Sequence, residues 1–126
     1  MSQPAVTVLV VDDQAPFRRA ARSVVGLTAG FEMVGEAESG EEAIEQVEAL
    51  APDLVFMDIH LPGINGVEAA KRVIAAHPET TVLLLSTYAA NDLLGAARSF
   101  GAAYVEKEEF GPEALKRTWE QRSART

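Results

Sequence analysis

Three short stretches of this chain are apolar almost without interruption. Residues 6–11 read VTVLVV and stop at Asp12-Asp13, residues 54–57 read LVFM and stop at Asp58, and residues 80–86 read TTVLLLS. Runs of this length, rich in β-branched residues and bounded by turn formers, are strands buried on both faces. Between them the hydrophobic period changes to that of a helix. Pro16 suits a first helical turn, and Phe17, Ala20, Ala21, Val24 and Val25 then recur at helical spacing, with Arg18, Arg19 and Arg22 on the other face. Residues 31–37 (FEMVGEA) alternate, as an edge strand does. Ser39 is an N-cap for a helix that turns Ala43, Ile44, Val47 and Leu50 inward and stops at Pro52. A third helix is predicted over 67–77 and a fourth from Asn91 or Asp92, with Leu93, Leu94, Ala97 and Phe100 inward. A short fifth strand follows at 102–105. Pro112 opens a last helix with Ala114, Leu115, Thr118 and Trp119.

Strand and helix therefore alternate five times with short connections. That order implies an α/β fold: a parallel sheet with helices on both faces, doubly wound and right-handed. No linker or composition shift divides the chain, so residues 1–126 are expected to form a single domain. There is no cysteine, which excludes disulfides and thiolate metal sites. The net charge of −8 and the lack of a basic patch argue against direct nucleic acid binding. No apolar run reaches the roughly 18 residues of a membrane helix, and the start lacks the regions of a signal peptide; a cytoplasmic protein without membrane contact is expected.

In a doubly wound sheet the carboxyl ends of the strands share one rim, and ligands bind there. The sequence places Asp12 and Asp13 on that rim after strand one, Asp58 after strand three, Ser86 and Thr87 after strand four, and Lys107 past strand five. A lone aspartate after a strand usually caps a turn. Three carboxylates in one crevice repel one another, and a divalent cation with oxygen ligands and retained waters relieves this. Magnesium fits that description, with manganese as a substitute.

The sequence resembles the receiver domain of two-component response regulators, and closest in flavour are receivers of LuxR-type regulators. The resemblance rests on four segments in order: residues 10–13 (VVDD), 57–66 (MDIHLPGING), 85–88 (LSTY) and 104–107 (YVEK). It implies a flavodoxin-like (βα)5 fold with strand order 2-1-3-4-5. It implies that Asp58 is the phosphoacceptor, forming an aspartyl phosphate with a phosphoryl group from a sensor histidine kinase. Magnesium would be held directly by Asp13, Asp58 and the backbone carbonyl of His60, with Asp12 acting largely through water. Lys107, Ser86 and Thr87 would contact the phosphoryl group, and Tyr104 would turn inward as part of the switch. Pro62 and Gly66 would shape the loop after Asp58. The implied protein is not an enzyme beyond assisting its own phosphorylation and dephosphorylation.

The output implied is a switched face made by the fourth helix, the fifth strand and the fifth helix, acting on a downstream partner. The alternative is the excised receiver of a transcription regulator, acting by dimerisation, including a phosphorylation-dependent homodimer, or by release of a missing helix-turn-helix domain. Two rival readings are disfavoured by residues. A haloacid-dehalogenase-like phosphatase has a second aspartate where His60 stands, and a flavin binder needs a Gly- and hydroxyl-rich loop where Asp12-Asp13-Gln14 stands. Only Gly101-Ala102-Ala103 precede Tyr104, one residue fewer than is common in the family. His60 is expected to be a solvated loop histidine, His77 a helix-end residue, and Trp119 packed against the sheet or last helix.

Overall fold

A computed structural model describes residues 4–87 and 99–122 of the chain. The helix expected from Asn91, with Leu93, Leu94 and Ala97, lies outside the described residues, as does Tyr88. Strands β1 (Val6–Val11), β2 (Phe31–Ala37), β3 (Leu54–Asp58), β4 (Thr81–Ser86) and β5 (Ala103–Glu106) form one parallel sheet in the order β2-β1-β3-β4-β5. Helices α1 (Ala15–Leu27), α2 (Gly40–Leu50) and α3 (Gly66–Ala76) connect the first four strands, and a C-terminal helix spans Pro112–Gln121. The strand order is the expected one, and strands and helices alternate as predicted among the described residues.

The unbroken apolar runs are explained by two separate cores. Because side chains alternate along a strand, Leu9, Val11, Val55, Met57, Val82 and Leu84 face one way and pack against Ala43, Val47, Ala70 and Val73 of α2 and α3. Their neighbours Val8, Val10, Leu54, Phe56, Leu83 and Leu85 face the other way, against Ala21 and Val25 of α1 and Leu115 of the C-terminal helix. A polar residue at any of these positions would therefore be buried whichever way it pointed. Trp119 packs, half-buried, on the second core, as expected.

Capping residues set the helix starts. The Ser39 hydroxyl accepts from the Glu42 N–H (3.1 Å), and Asn65 Oδ1 accepts from the Glu68 N–H (2.9 Å). The Asn65 cap moves the start of α3 one residue before the predicted Val67. Two inward assignments fail. Ala20 is exposed on α1, and Leu50 is 38% exposed. Leu50 ends α2 over Gly35 of β2, and as the sheet's edge strand β2 has no further strand to cover it. At the far end of the sheet, Thr7 and Asp53 latch β1 to the start of β3. The Asp53 N–H is shared between the Thr7 carbonyl (3.0 Å) and hydroxyl (2.9 Å), and the Thr7 N–H donates to Asp53 Oδ2 (3.0 Å).

Candidate metal and phosphoacceptor site

The carboxyl ends of β1 and β3 lie side by side, because Val11 pairs with Met57. Asp12 and Asp58 are the next residue on each strand, so their carboxylates meet. Asp12 is fully buried and held at four points. Its N–H donates to the Ala37 carbonyl of β2 (3.0 Å), its carbonyl accepts from Arg18 Nη1 (2.7 Å), and its Oδ1 accepts from the Gln14 N–H (2.8 Å). Its Oδ2 lies 2.6 Å from Lys107 Nζ, an ion pair that lacks the directional geometry of a hydrogen bond. Asp58 is 4% exposed and lies 3.6 Å from the same ammonium. Asp13 is exposed at the rim. Ligand oxygens of Asp12, Asp13 and Asp58 all lie within 4.8 Å of one another.

Burial, followed by the nearby charge of Asp12, pushes the Asp58 carboxyl above its ordinary range. Lys107 opposes this, as do a hydrogen bond from the His60 backbone and the His60 charge. The balance stays upward, because burial and the Asp12 charge together outweigh these opposing contacts. An all-oxygen set around one point, with a buried Asp12 oxygen lacking a hydrogen bond, fits a hard divalent cation that keeps part of its water shell. Asp12, Asp13 and Asp58 are the side chains that could hold it.

Lys107 is placed by contacts that sequence reasoning missed. Its ammonium sits 4.6 Å from the centroid of the Phe17 ring. Phe17 lies 5.8 Å from Phe110, which meets Phe56 edge-on at 4.9 Å. Phe17 was legible only as a core residue, and no spacing rule links it to a lysine 90 positions later. Arg18 was also misplaced by periodicity. It belongs to the polar face of α1, yet its side chain is only 14% exposed, and it joins Glu36 of β2 (3.0 Å) to the Asp12 carbonyl.

The loop after Asp58 is built around two close approaches. The Gly66 N–H donates to the Ile59 carbonyl (2.8 Å), and a side chain on Gly66 would stand 2.1 Å from the Asp58 carbonyl oxygen. Gly63 takes a left-handed φ of 74° beside the Glu41 carboxylate, which accepts from the Ile64 N–H (3.3 Å). His60 is exposed on this loop, as predicted. With Asp13, Pro62 and Asn65 it borders an open cleft of about 500 Å³. Ser86 is buried at the end of β4 and Thr87 beside it is exposed. Tyr104 is half-buried against the core shared with α2 and α3, with β4 between its strand and that of Asp58. His77 caps the end of α3, as expected, with Nε2 2.8 Å from Glu48 of α2.

Residues 8–119 match the family described as the response regulator receiver domain. The chain belongs to that family. Such domains are the receiver portions of the response regulators of two-component systems. This receiver is similar to the receiver domain of the NarL response regulator from Mycobacterium tuberculosis, at 29% identity and a TM-score of 0.87, covering 96% of this chain and 98% of that one. It is also similar to a LuxR-family two-component response regulator from Aurantimonas sp. SI85-9A1, at 27% identity and a TM-score of 0.83, covering 92% and 83%. Among curated proteins it is 31% identical over 115 residues to the transcriptional regulatory protein DegU of Brevibacillus brevis, covering 91% of this receiver but 49% of DegU. The receiver thus spans about half the length of that relative. Among the described residues, no helix is long and apolar enough to cross a membrane.

Proposed function

We propose that this receiver accepts a phosphoryl group on Asp58 from a histidine kinase in a magnesium-dependent reaction. The observation that carries this reading is the convergence of Asp12, Asp13 and Asp58 beside the Lys107 ammonium. An Asp58 oxygen attacks phosphorus, the bond from phosphorus to the donor's imidazole nitrogen breaks, and its electron pair leaves with the imidazole. Magnesium, when bound by Asp12, Asp13, Asp58 and the His60 carbonyl, supplies charge that offsets repulsion between the nucleophile and the phosphoryl oxygens. Lys107 holds one phosphoryl oxygen as a point charge. The Ser86 hydroxyl donates to another, Thr87 borders it, and Tyr104 follows the movement of Ser86 inward.

The result is a shift between two conformations biased by the phosphoryl contacts. Its readout surface includes β5 and the C-terminal helix. Resemblance to DegU and to a LuxR-family regulator favours one output, control of a DNA-binding domain in a longer regulator, directly or through a receiver dimer. The chain itself is a signalling domain that turns over only its own phosphoryl group, within a single folded unit.

The test is incubation with magnesium and a small phosphodonor, followed by intact mass and peptide mapping. One base-labile phosphoryl group on Asp58 is expected, absent without magnesium. Equal modification of Asp58→Asn would remove Asp58 as the acceptor.

A further inference from the structure

A guanidinium shielded from water is costly unless its donors are met. Arg18 meets this condition on β2, where its Nε lies 3.0 Å from Glu36 and its Nη1 3.8 Å from Glu38. Glu36 is in turn gripped by Arg22, one turn further along α1. The same Nη1 donates to the Asp12 carbonyl oxygen at 2.7 Å. That oxygen lies in the peptide plane joining Asp12 to Asp13, and a peptide is rigid and planar. The Asp12 N–H and Oδ1 are already committed to Ala37 and Gln14. The bond from Arg18 adds a hold on the carbonyl side and so restrains the tilt of the plane from which Asp13 departs.

We propose that Arg18 is a positioning residue for the cation site, holding the Asp12–Asp13 peptide so that both carboxylates point at one ion. The inference rests on the reading that Asp12, Asp13 and Asp58 hold a divalent cation. Arg18 touches neither the ion's place nor a carboxylate oxygen of the acidic triad in any contact described, and acts through main chain.

Charge and geometry predict opposite signs, which makes the idea testable. As a cation near a cation site, Arg18 repels the ion, so by charge alone its removal tightens binding. As a positioning residue, its removal weakens binding. Partners that orient metal ligands typically contribute 10–100-fold in affinity, and a loss of roughly ten-fold is expected.

The experiment titrates the whole chain with manganese and reads free ion by electron paramagnetic resonance. It compares wild type, Arg18→Met, Arg18→Lys and Arg22→Met, each checked for folding by urea denaturation. Arg22 shares Glu36 but has no bond to Asp12 among the contacts described, so Arg22→Met reports charge and general packing. Weakened binding by Arg18→Met, with Arg22→Met equal to or tighter than wild type, supports the proposal. Unchanged or tighter binding by a folded Arg18→Met overturns it, as does an equal loss in Arg22→Met. If Arg18→Met does not fold, Arg18→Lys decides: its charge is conserved, so weaker binding supports positioning and unchanged binding overturns it. A wild type that binds no manganese removes the cation reading itself, and this inference with it.

Discussion

Asp58 is a carboxylate held in a place that disfavours its charge. Burial and Asp12 raise its pKa in the folded chain above the ordinary value near 3.8. A raised acid binds its proton more tightly folded than unfolded. Its contribution to stability is therefore complete below the unfolded value and is lost as pH rises through the folded one. At neutral pH, in a chelator, the ionised Asp58 is a net liability. Asp58→Asn is expected to be more stable than wild type under those conditions, and the difference should shrink as pH falls toward 4. Urea denaturation of both proteins across that range checks this; a constant difference would remove the titration of Asp58 as its cause. The four charged residues of the site were legible because each ends a strand run. Arg18 and Phe17 were not, because helical periodicity assigns a face and says nothing of which backbone atom a long side chain reaches.

Among the elements, α3 shows most plainly how local chemistry sets the site. Its first residue, Gly66, has its Cα pressed against the peptide after Asp58. A methyl group there would meet the Asp58 carbonyl oxygen at 2.1 Å and Ile59 Cα at 2.9 Å, both main-chain atoms that cannot rotate away. Gly66→Ala is expected to cost about 3 kcal/mol, at the upper end of overpacking effects. It should also lower phosphorylation of Asp58 in the surviving folded fraction. Urea denaturation midpoints measure the first effect and phosphodonor labelling the second. The short 3-10 turn at Lys107–Glu109 was not readable. Strand and helix types were readable in the long described segments, each of which had one dominant period. Their ends were not: the Asn65 cap begins α3 earlier than its apolar pattern does, and Leu50 obeys the helical period at a sheet edge where little remains to cover it.

For the molecule as a whole, a cation held by Asp12, Asp13 and Asp58 would be a ligand of the folded state only, because the unfolded chain does not gather three carboxylates from two distant segments. Magnesium at ten times its dissociation constant is expected to stabilise the fold by about 1.4 kcal/mol. Thermal denaturation with increasing magnesium should show a rising midpoint, reversed by chelator and absent in Asp13→Asn. A magnesium-independent midpoint would count against the site. Among the described residues, the doubly wound architecture was legible as alternating strands and helices. Its strand order was not, since alternation fixes that the sheet is parallel and leaves the sequence of neighbours open; that order came through resemblance to the family and is the one observed.

The Thr7–Asp53 latch has a consequence for manufacture tolerance at the other end of the sheet. Counting along the paired strands, Thr7 precedes Asp12 by the same number of residues as Asp53 precedes Asp58. β1 and β3 therefore act as two rulers zeroed against each other at the latch, with the acidic pair as the graduation read about 16 Å away. A slip of one residue at the zero mark would turn Asp12 and Asp58 toward opposite faces. Accuracy at the chemistry is thus calibrated by two residues that take no part in it.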